Sequence, residues 1–426
     1  MTQPTDPLSE DDRVLDARRS AWLTLSLTAG LGPVTMRRVA DAGLGVLGAM
    51  RFSHAQWAEV EGIGTVRATQ VVRDLPRAAR EAQEVLQRCD AGRITVLTPD
   101  DDAYPALCRD LPDAPCVIYV RGTLEPRDLC SVAIVGSRQC SHYGRDQAAR
   151  LASLLAGAGY TVVSGGARGV DSAAHEGALR CPGGRTLVVL GCGVDVVYPP
   201  ENDALFRRVI ELGQGALVSH YPPGTPPHAR HFPERNRLIS ALSRGVLVVE
   251  ADLRSGSLIT ARIAADDHNR PVMALPGRVD NPLSAGPHDL LRQGAALVTG
   301  LEDILDALGP APDSAFRPRR HRPAMTRTAD PSATPAAAAA PDDLFEPPAR
   351  ADGPPPPPPP ASALPAESAE AAAILAALRE HREAPPDVLI DATGLPAAVV
   401  LQQLTLLALK GRVKRLDAQT YALART

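Results

Sequence analysis

Val163-Ser164-Gly165-Gly166-Ala167-Arg168-Gly169-Val170-Asp171 reads as the end of a β-strand, a turn of small residues and the start of a helix. A Ser-Gly-Gly turn that opens a helix presents amide groups and the positive end of the helix dipole, which together favour an anion. Arg168 adds a full charge at that point. Around this stretch, from about residue 95 to 308, short β-branched runs alternate with helical patterns. The runs are Cys116–Val120, Val132–Val135, Thr161–Val163, Thr186–Leu190, Ala216–Ser219, Val246–Glu250, Val272–Leu275 and Ala296–Val298. Helical patterns occupy Asp146–Ala158, Val170–Leu179 and Leu258–Asp266. Such alternation predicts an α/β domain, a Rossmann-like parallel sheet covered by helices on both faces.

Ligands of open α/β sheets bind beyond the carboxyl ends of the strands, so the other strand-end loops carry the functional reading. Gly136-Ser137-Arg138 follows one strand, with a glycine for close backbone approach and an arginine beside it. Arg230-His231-Phe232-Pro233-Glu234-Arg235-Asn236-Arg237 packs three arginines and an aromatic ring into eight residues. Phosphate neutralisation combined with base stacking is what an unpaired nucleic-acid strand requires. Ser255-Gly256-Ser257 with Thr260 opens a helix with small hydroxyl residues, as a ligand contact or as simple N-capping. Leu275-Pro276-Gly277 reads as a strand-ending turn. The candidate DNA-binding residues are therefore Gly136, Ser137, Arg138, Ser164, Gly165, Gly166, Arg168, Asp171, Arg230, Phe232, Arg235, Asn236, Arg237, Ser255 and Ser257.

Other chemistries find little support. Gly191-Cys192-Gly193 lacks the third glycine of a dinucleotide fingerprint, and no Walker-type phosphate loop occurs. The seven cysteines form no Cys-x-x-Cys pair, so free thiols rather than a disulfide framework or a zinc site are expected. No cofactor and no metal are expected. His175 lies inside a helical pattern and reads as a core histidine, not a catalyst. A net charge of −4 supplies no overall attraction to nucleic acid, so any DNA site must be a local patch. Almost all the cations are arginines, the better partner for phosphates and base faces. The polar, acidic N-terminus and the lack of a long apolar run point to a cytoplasmic protein without a membrane segment.

The flanks add further domains. Residues 1–14 read as disordered. Residues 15–90 read as a helical domain of the SAM or helix-hairpin-helix kind, with turns at Gly30-Leu31-Gly32-Pro33 and Glu61-Gly62-Ile63-Gly64. Those glycines bring amides to a phosphate or only make tight turns. Residues 309–366 form a Pro/Ala-rich linker, with Arg317, Arg319, Arg320 and Arg322 near its start and seven prolines at Pro354–Pro360. Residues 367–426 resemble a winged helix. Ile374, Leu375 and Leu378 mark its first helix, Val388–Ile390 its second, and Val400, Leu404, Leu407 and Ala408 its third, which Gly411 ends; a hairpin follows at Arg412–Leu416 and Thr420–Leu423. The third helix carries only Lys410 near its end, which suits protein contact better than groove reading.

Taken in order, the central segments resemble the DprA/Smf family. The carriers are Val132–Arg138, Ser164–Asp171 with Ala174-His175, Leu190–Asn202, Tyr221–Gly224, Phe232–Ser243, Glu250–Thr260 and Leu275–Gly277. His220, Asn269-Arg270 and Pro287-His288 depart from the family pattern at the pocket edge. The resemblance implies a dimer through the Rossmann-like domain and a basic pocket for single-stranded DNA, which is delivered to a RecA-type recombinase. It also implies Arg138 and Arg168 as main phosphate contacts, with Arg235 and Arg237 beside them. The function expected is therefore single-strand binding in natural transformation and recombination, without catalysis. The alternative is a nucleotide-processing hydrolase of the lysine-decarboxylase-like phosphoribohydrolase type. It would have to use Asp171 and Glu250, carboxylates that the simpler reading pairs with nearby arginines.

Overall fold

The computed structural model describes residues 10–310, 369–381, 383–395, 400, 403–404, 407, 413–415 and 421–423. The chain divides into two compact units, Met1–Thr326 and Arg327–Thr426.

The first unit begins with five helices: α1 (Glu10–Leu27), α2 (Pro33–Ala42), α3 (Val46–Ala49), α4 (His54–Glu59) and α5 (Gly64–Ala91). Residues 10–14 are thus helical, against the expectation of disorder over 1–14; residues 1–9 lie outside the described residues. Glu10, Asp11 and Asp12 occupy the first turn of α1, where carboxylates meet the positive end of the dipole. The helix is then anchored by Trp22, whose indole donates to Asp100 at 2.8 Å, and by Arg19 on Asp101 at 2.6 Å. Both glycine turns precede helices. Gly30 and Gly62 adopt φ of 84° and 88°, which a side chain disfavours, and Pro33 starts α2. Trp57 is fully buried and meets Phe52 edge-on at 5.6 Å.

A nine-stranded sheet follows: β1 (Thr95–Leu97), β2 (Ile118–Gly122), β3 (Ser131–Val135), β4 (Thr161–Ser164), β5 (Arg185–Val189), β6 (Gly215–Ser219), β7 (Val246–Val248), β8 (Val272–Ala274) and β9 (Ala296–Leu297). Its order is β1-β2-β6-β5-β4-β3-β7-β8-β9. All pairs from β6 to β9 are parallel, but β2 pairs antiparallel with β6 and β1 antiparallel with β2. The expected Rossmann-like parallel sheet thus carries an antiparallel edge at β2 and β1. The chain moves outward from β3 to β6, then returns to pair β7 on the other side of β3. The carboxyl ends of β3 and β7 thus mark the reversal at which such sheets bind ligands.

The helices of this domain are α6 (Ala106–Arg109), α7 (His142–Gly157), α8 (Val170–Arg180), α9 (Asp203–Glu211), α10 (His231–Ala241), α11 (Ser257–Arg262, continued by a wider turn through Asp267), α12 (Ala285–Arg292) and α13 (Leu301–Leu308). Alternation along the strands sorts them into two layers. Val132 and Ile134 of β3 pack with α7, α8 and α13, whereas Ala133 and Val135 pack with α10 and α11. α7 and α8 approach closely because Gly177 faces the backbone of Ala149. All seven cysteines are free thiols. No cluster of His, Cys, Asp or Glu among the described residues could hold a metal ion, and no helix among them is long and apolar enough to cross a membrane.

His175 is fully buried in α8. The Thr186 hydroxyl donates to the Val162 carbonyl at 2.7 Å, so it accepts from His175 Nδ1–H at 2.7 Å. Nε2 is left without a partner in the core. Burial pushes the imidazole pKa from 6.5 to about 3, so the ring is neutral.

In the second unit, α14 (Ala369–His381), β10 (Glu383–Ala384), α15 (Pro386–Thr393), β11 (Val413–Arg415) and β12 (Tyr421–Leu423) form a small α/β body. Its sheet order is β10-β12-β11, and β11 pairs with β12 as the expected hairpin. Ile374, Leu375, Leu378, Leu389, Val400, Leu404 and Leu407 share one core. Ala408, Lys410, Gly411, the arginines at 317–322 and the proline run lie outside the described residues.

Gly177→Ala should collide with the Ala149 carbonyl oxygen. The clash outweighs the ~1 kcal/mol of helix propensity that alanine brings, for a net loss of about 1–2 kcal/mol in denaturant unfolding. His175 gives a second expectation. The unfolded chain takes up its proton near pH 6.5, but the folded core resists down to about 3. The associated stability is whole above pH 6.5 and drains as pH falls toward 3. His175→Gln should flatten the acid side of a stability–pH curve just below 6.5; an unaltered slope there contradicts the neutral assignment.

Candidate functional site

Three strand-end loops and the start of α10 form a small, open cleft. Arg138 enters it from β3, Gly165 to Arg168 from β4, and Leu190, Gly191, Tyr198 and Pro199 from the loop after β5. Phe232 and Arg235, on α10, complete it. Six sequence-derived candidates therefore meet in one place: Arg138, Gly165, Gly166, Arg168, Phe232 and Arg235.

Glycines let the loops interlock. A Cβ on Gly169 would strike the carbonyls of Ser137 and Arg138, and one on Gly165 would fall on the Arg235 guanidinium. Gly166 adopts φ 64° above Val188 and Phe206. Val170 N–H donates to Ser137 O at 3.2 Å, which joins the β4 loop to the β3 loop. Ser137 N–H donates to Glu250 O at 2.6 Å, which joins β3 to β7.

The arginines differ in state. Arg235 is only 4% exposed. Its Nη1 donates to Gly165 O at 2.5 Å and to Val189 O at 3.0 Å. Burial lowers its pKa, and the neighbouring Asp171 carboxylate opposes that effect. Asp171 is itself buried, and its pKa is raised by burial against the pull of Arg235. Arg235 therefore braces the cleft floor, and Asp171 is its counter-charge and accepts from Ala167 N–H at 3.3 Å. The positive end of α8 thus already faces a carboxylate of its own.

Arg138 is exposed, with its guanidinium 4.9 Å from the centre of the Phe232 ring. Arg235 approaches the same ring at 5.7 Å, and Tyr198 lies 5.8 Å from it. Arg168 is exposed and pairs with Glu201 at 2.6 Å, each side chain more than half open to solvent. Such a surface pair contributes little stability, so an incoming phosphate can displace it. The cleft offers two exposed guanidinium groups about an aromatic pair, a geometry fitted to phosphates flanking a base.

Several candidates fall elsewhere. Arg237 pairs with Asp113 and with Asp267 at 2.8 Å, on another side of α10. Asn236 donates to Gly256 O at 3.1 Å, and Ser255 and Ser257 join hydroxyls at 2.8 Å against the same helix. The helical repeat explains this: Phe232 and Arg235 lie one turn apart on one stripe, and Asn236 and Arg237 point away from it. Ser164 is buried and donates to Ile134 O at 2.6 Å. Gly136 and Ser137 belong to the loop joints, and Arg230 is exposed just before α10. Glu250 is not paired with an arginine. It accepts from Ser141 N–H at 2.8 Å, Ser141 Oγ at 2.7 Å and Asn281 Nδ2 at 3.3 Å. Sequence reasoning gave no role to Tyr198, although an aromatic residue in a strand-end loop is a signal of the kind that singled out Phe232.

The family model of DNA recombination-mediator protein A matches residues 95–309, and that of the DprA winged helix domain matches residues 354–419. Protein Smf of Synechocystis sp. is 35% identical over 301 residues, 70% of this chain and 74% of that protein. Protein Smf of Escherichia coli is 40% identical over 288 residues, 67% of this chain and 74% of that protein. The crystal structure of DNA processing protein A from Streptococcus pneumoniae superposes with a TM-score of 0.57 at 33% identity, covering 67% of this chain and 97% of that one. Cleft-forming loops and comparisons agree: the chain belongs to the DNA recombination-mediator protein A family.

Proposed function

We propose that the cleft binds single-stranded DNA and that the chain acts in DNA uptake and recombination in the cytoplasm, as a binding protein and not as an enzyme. The observation that carries this reading is the convergence of exposed Arg138 and Arg168 on the Phe232–Tyr198 pair. Guanidinium groups neutralise phosphates, and aromatic faces take unstacked bases. A duplex keeps its bases stacked inside and gains less from the rings. Among the described residues, no carboxylate or histidine lines the cleft. Asp171 and Glu250, the acid–base candidates of the hydrolase reading, are buried and engaged in structural hydrogen bonds. That supports binding over catalysis. Arg168, Arg138 and Phe232 are the direct contacts in this proposal, Gly165 and Gly166 give the backbone its close approach, and Arg235 and Asp171 hold the loops in place.

Hand-over of the strand to a RecA-type recombinase completes the proposal, supported by the recombination-mediator family to which the chain belongs. A homodimer through the Rossmann-like domain is also proposed. β9 pairs only with β8 among the described strands, and Leu297 on it is 53% exposed, which suits a contact with a second copy.

The test is binding of a labelled oligothymidylate across a salt series. Arg138→Ala with Arg168→Ala should weaken binding at least about tenfold at moderate salt and make the log–log salt slope shallower by about 1.4, the loss of two phosphate contacts. Arg237→Ala, outside the cleft, should leave both within about twofold of the parent. A double variant that binds like the parent refutes the cleft. Release of free base from nucleoside monophosphates would instead favour the hydrolase.

A further inference from the structure

A second cavity lies on the α10 side of the sheet, near the amino ends of the parallel strands and so away from the cleft. It holds about 380 Å³, against the ~150 Å³ that accommodates a benzene ring. Leu187 of β5 and Leu242, just past α10, are buried at its floor; Tyr104 and Leu107 wall one side, Leu124 and Leu129 the other. Leu107, Leu124 and Leu129 are only partly covered. Apolar walls left open to water gain from any group that displaces it.

The mouth is acidic. Of the four charged side chains in the lining, Asp102, Glu125 and Asp128 are carboxylates and Arg109 is the one cation. Arg109 is turned inward, onto Pro99 O at 2.6 Å and over the Tyr104 ring at 5.5 Å. Arg185 and Arg127 answer Glu125 and Asp128. The loop at the mouth, residues 99–113, carries five aspartates to a single arginine. Arg19 meets Asp101 and Arg237 meets Asp113, whereas Asp100 takes a neutral indole N–H. Asp102 and Asp110 are exposed.

The chain supplies its own complement. Arg244 Nη2 donates to Leu308 O at 2.9 Å and to Pro310 O at 2.7 Å, which pins the chain just after α13. Arg244 stands two residues after Leu242 and donates its N–H to Ser131 O at 2.9 Å, while Ser131 Oγ donates to Leu242 O at 2.6 Å. The pinned end is thus tied to the cavity floor. Residues 311–326 follow in the same unit. Their single Phe, Tyr or Trp is Phe316, and they carry Arg317, Arg319, Arg320 and Arg322 against one carboxylate, Asp313. Phe316 is six positions past Pro310, an extended reach of about 20 Å.

We propose that this cavity is the docking site of the chain's own segment 313–322, with the Phe316 ring on the leucine floor and Arg317, Arg319 and Arg320 along the acidic mouth. The ring leaves water for an apolar chamber. The guanidinium groups stay hydrated and meet opposite charge. The proposal does not depend on what the cleft binds.

Trypsin digestion of the native full chain tests it. Arg317 and Arg322 precede prolines and resist the protease, so Arg319 and Arg320 report. In the parent these sites should be cut about tenfold more slowly than in a synthetic peptide of residues 311–326, since cleavage tracks the undocked population. Phe316→Ala should restore most of that rate. So should Ala106→Trp, which fills the cavity from its rim and leaves the linker sequence intact; its melting temperature shows whether the domain still folds. The labelled peptide gives a reading that needs no cavity variant: it should bind the Phe316→Ala chain, whose cavity is vacant, and not the parent. A parent cut as fast as the peptide, or one that binds it as well as the Phe316→Ala chain does, overturns the proposal. Protection that disappears on dilution assigns the ring to a second copy, and protection lost in Ala106→Trp but kept in Phe316→Ala assigns the cavity to another guest; either result overturns it as well.

Discussion

A buried guanidinium donating to two strand-end carbonyls is the constraint on which the cleft depends. Arg235 bonds Gly165 O and Val189 O and so fastens the ends of β4 and β5 to α10. An unpaired charge in such a place would cost several kcal/mol. Asp171 from α8 supplies the opposite charge, and each group pulls the other's pKa back against burial. Breaking such a pair by removing one member costs about 3–5 kcal/mol, because the survivor stays buried and uncompensated. The three elements therefore keep a single arrangement, and the exposed arginines inherit it.

What the brace holds, the glycines permit. Each loop passes so near its neighbour that a single added carbon at 165, 169 or 136 meets backbone or guanidinium atoms. The loops at the ends of β3, β4 and β7 thus form one layer instead of three independent segments. Their position follows from topology, since the strand order reverses about β3 and leaves a crevice at the carboxyl ends of the strands. Arg138 and Arg168 stand at the edge of that layer, where solvent reaches them.

Much of this was legible in the sequence. Each of the eight β-branched runs overlaps a strand, because strands buried on both faces are apolar throughout and cannot hide among loops. β1 escaped notice: three residues give no period to read, and its place depends on antiparallel pairing with β2. The acidic start of α1 was mistaken for a disordered tail, since Glu10 to Asp12 look solvating until Arg19 and Trp22 find their partners about eighty residues on. The site was legible as a set of loops but not in its division of labour. Arg235 and Arg237 are two residues apart in the sequence yet serve opposite sides of α10, one in the floor of the cleft and one in an ion pair with Asp113. Burial, not residue type, separates a brace from a contact, and burial depends on neighbours distant in the chain. Tyr198 was passed over for the same reason: its meaning comes from Phe232, thirty-four positions away.

The Arg168–Glu201 pair bears on how the proposed single-strand site would discriminate among anions. Its guanidinium already holds an anion, so a lone phosphate gains only the difference between two similar partners. In the single-strand reading, free nucleotides and salt would compete for that guanidinium one phosphate at a time. A strand held at Arg138 would, in that reading, present its next phosphate at a high local concentration and displace the glutamate more readily than a free phosphate does. The resident carboxylate of the proposed single-strand site would thus favour longer ligands over single phosphates without a steric gate.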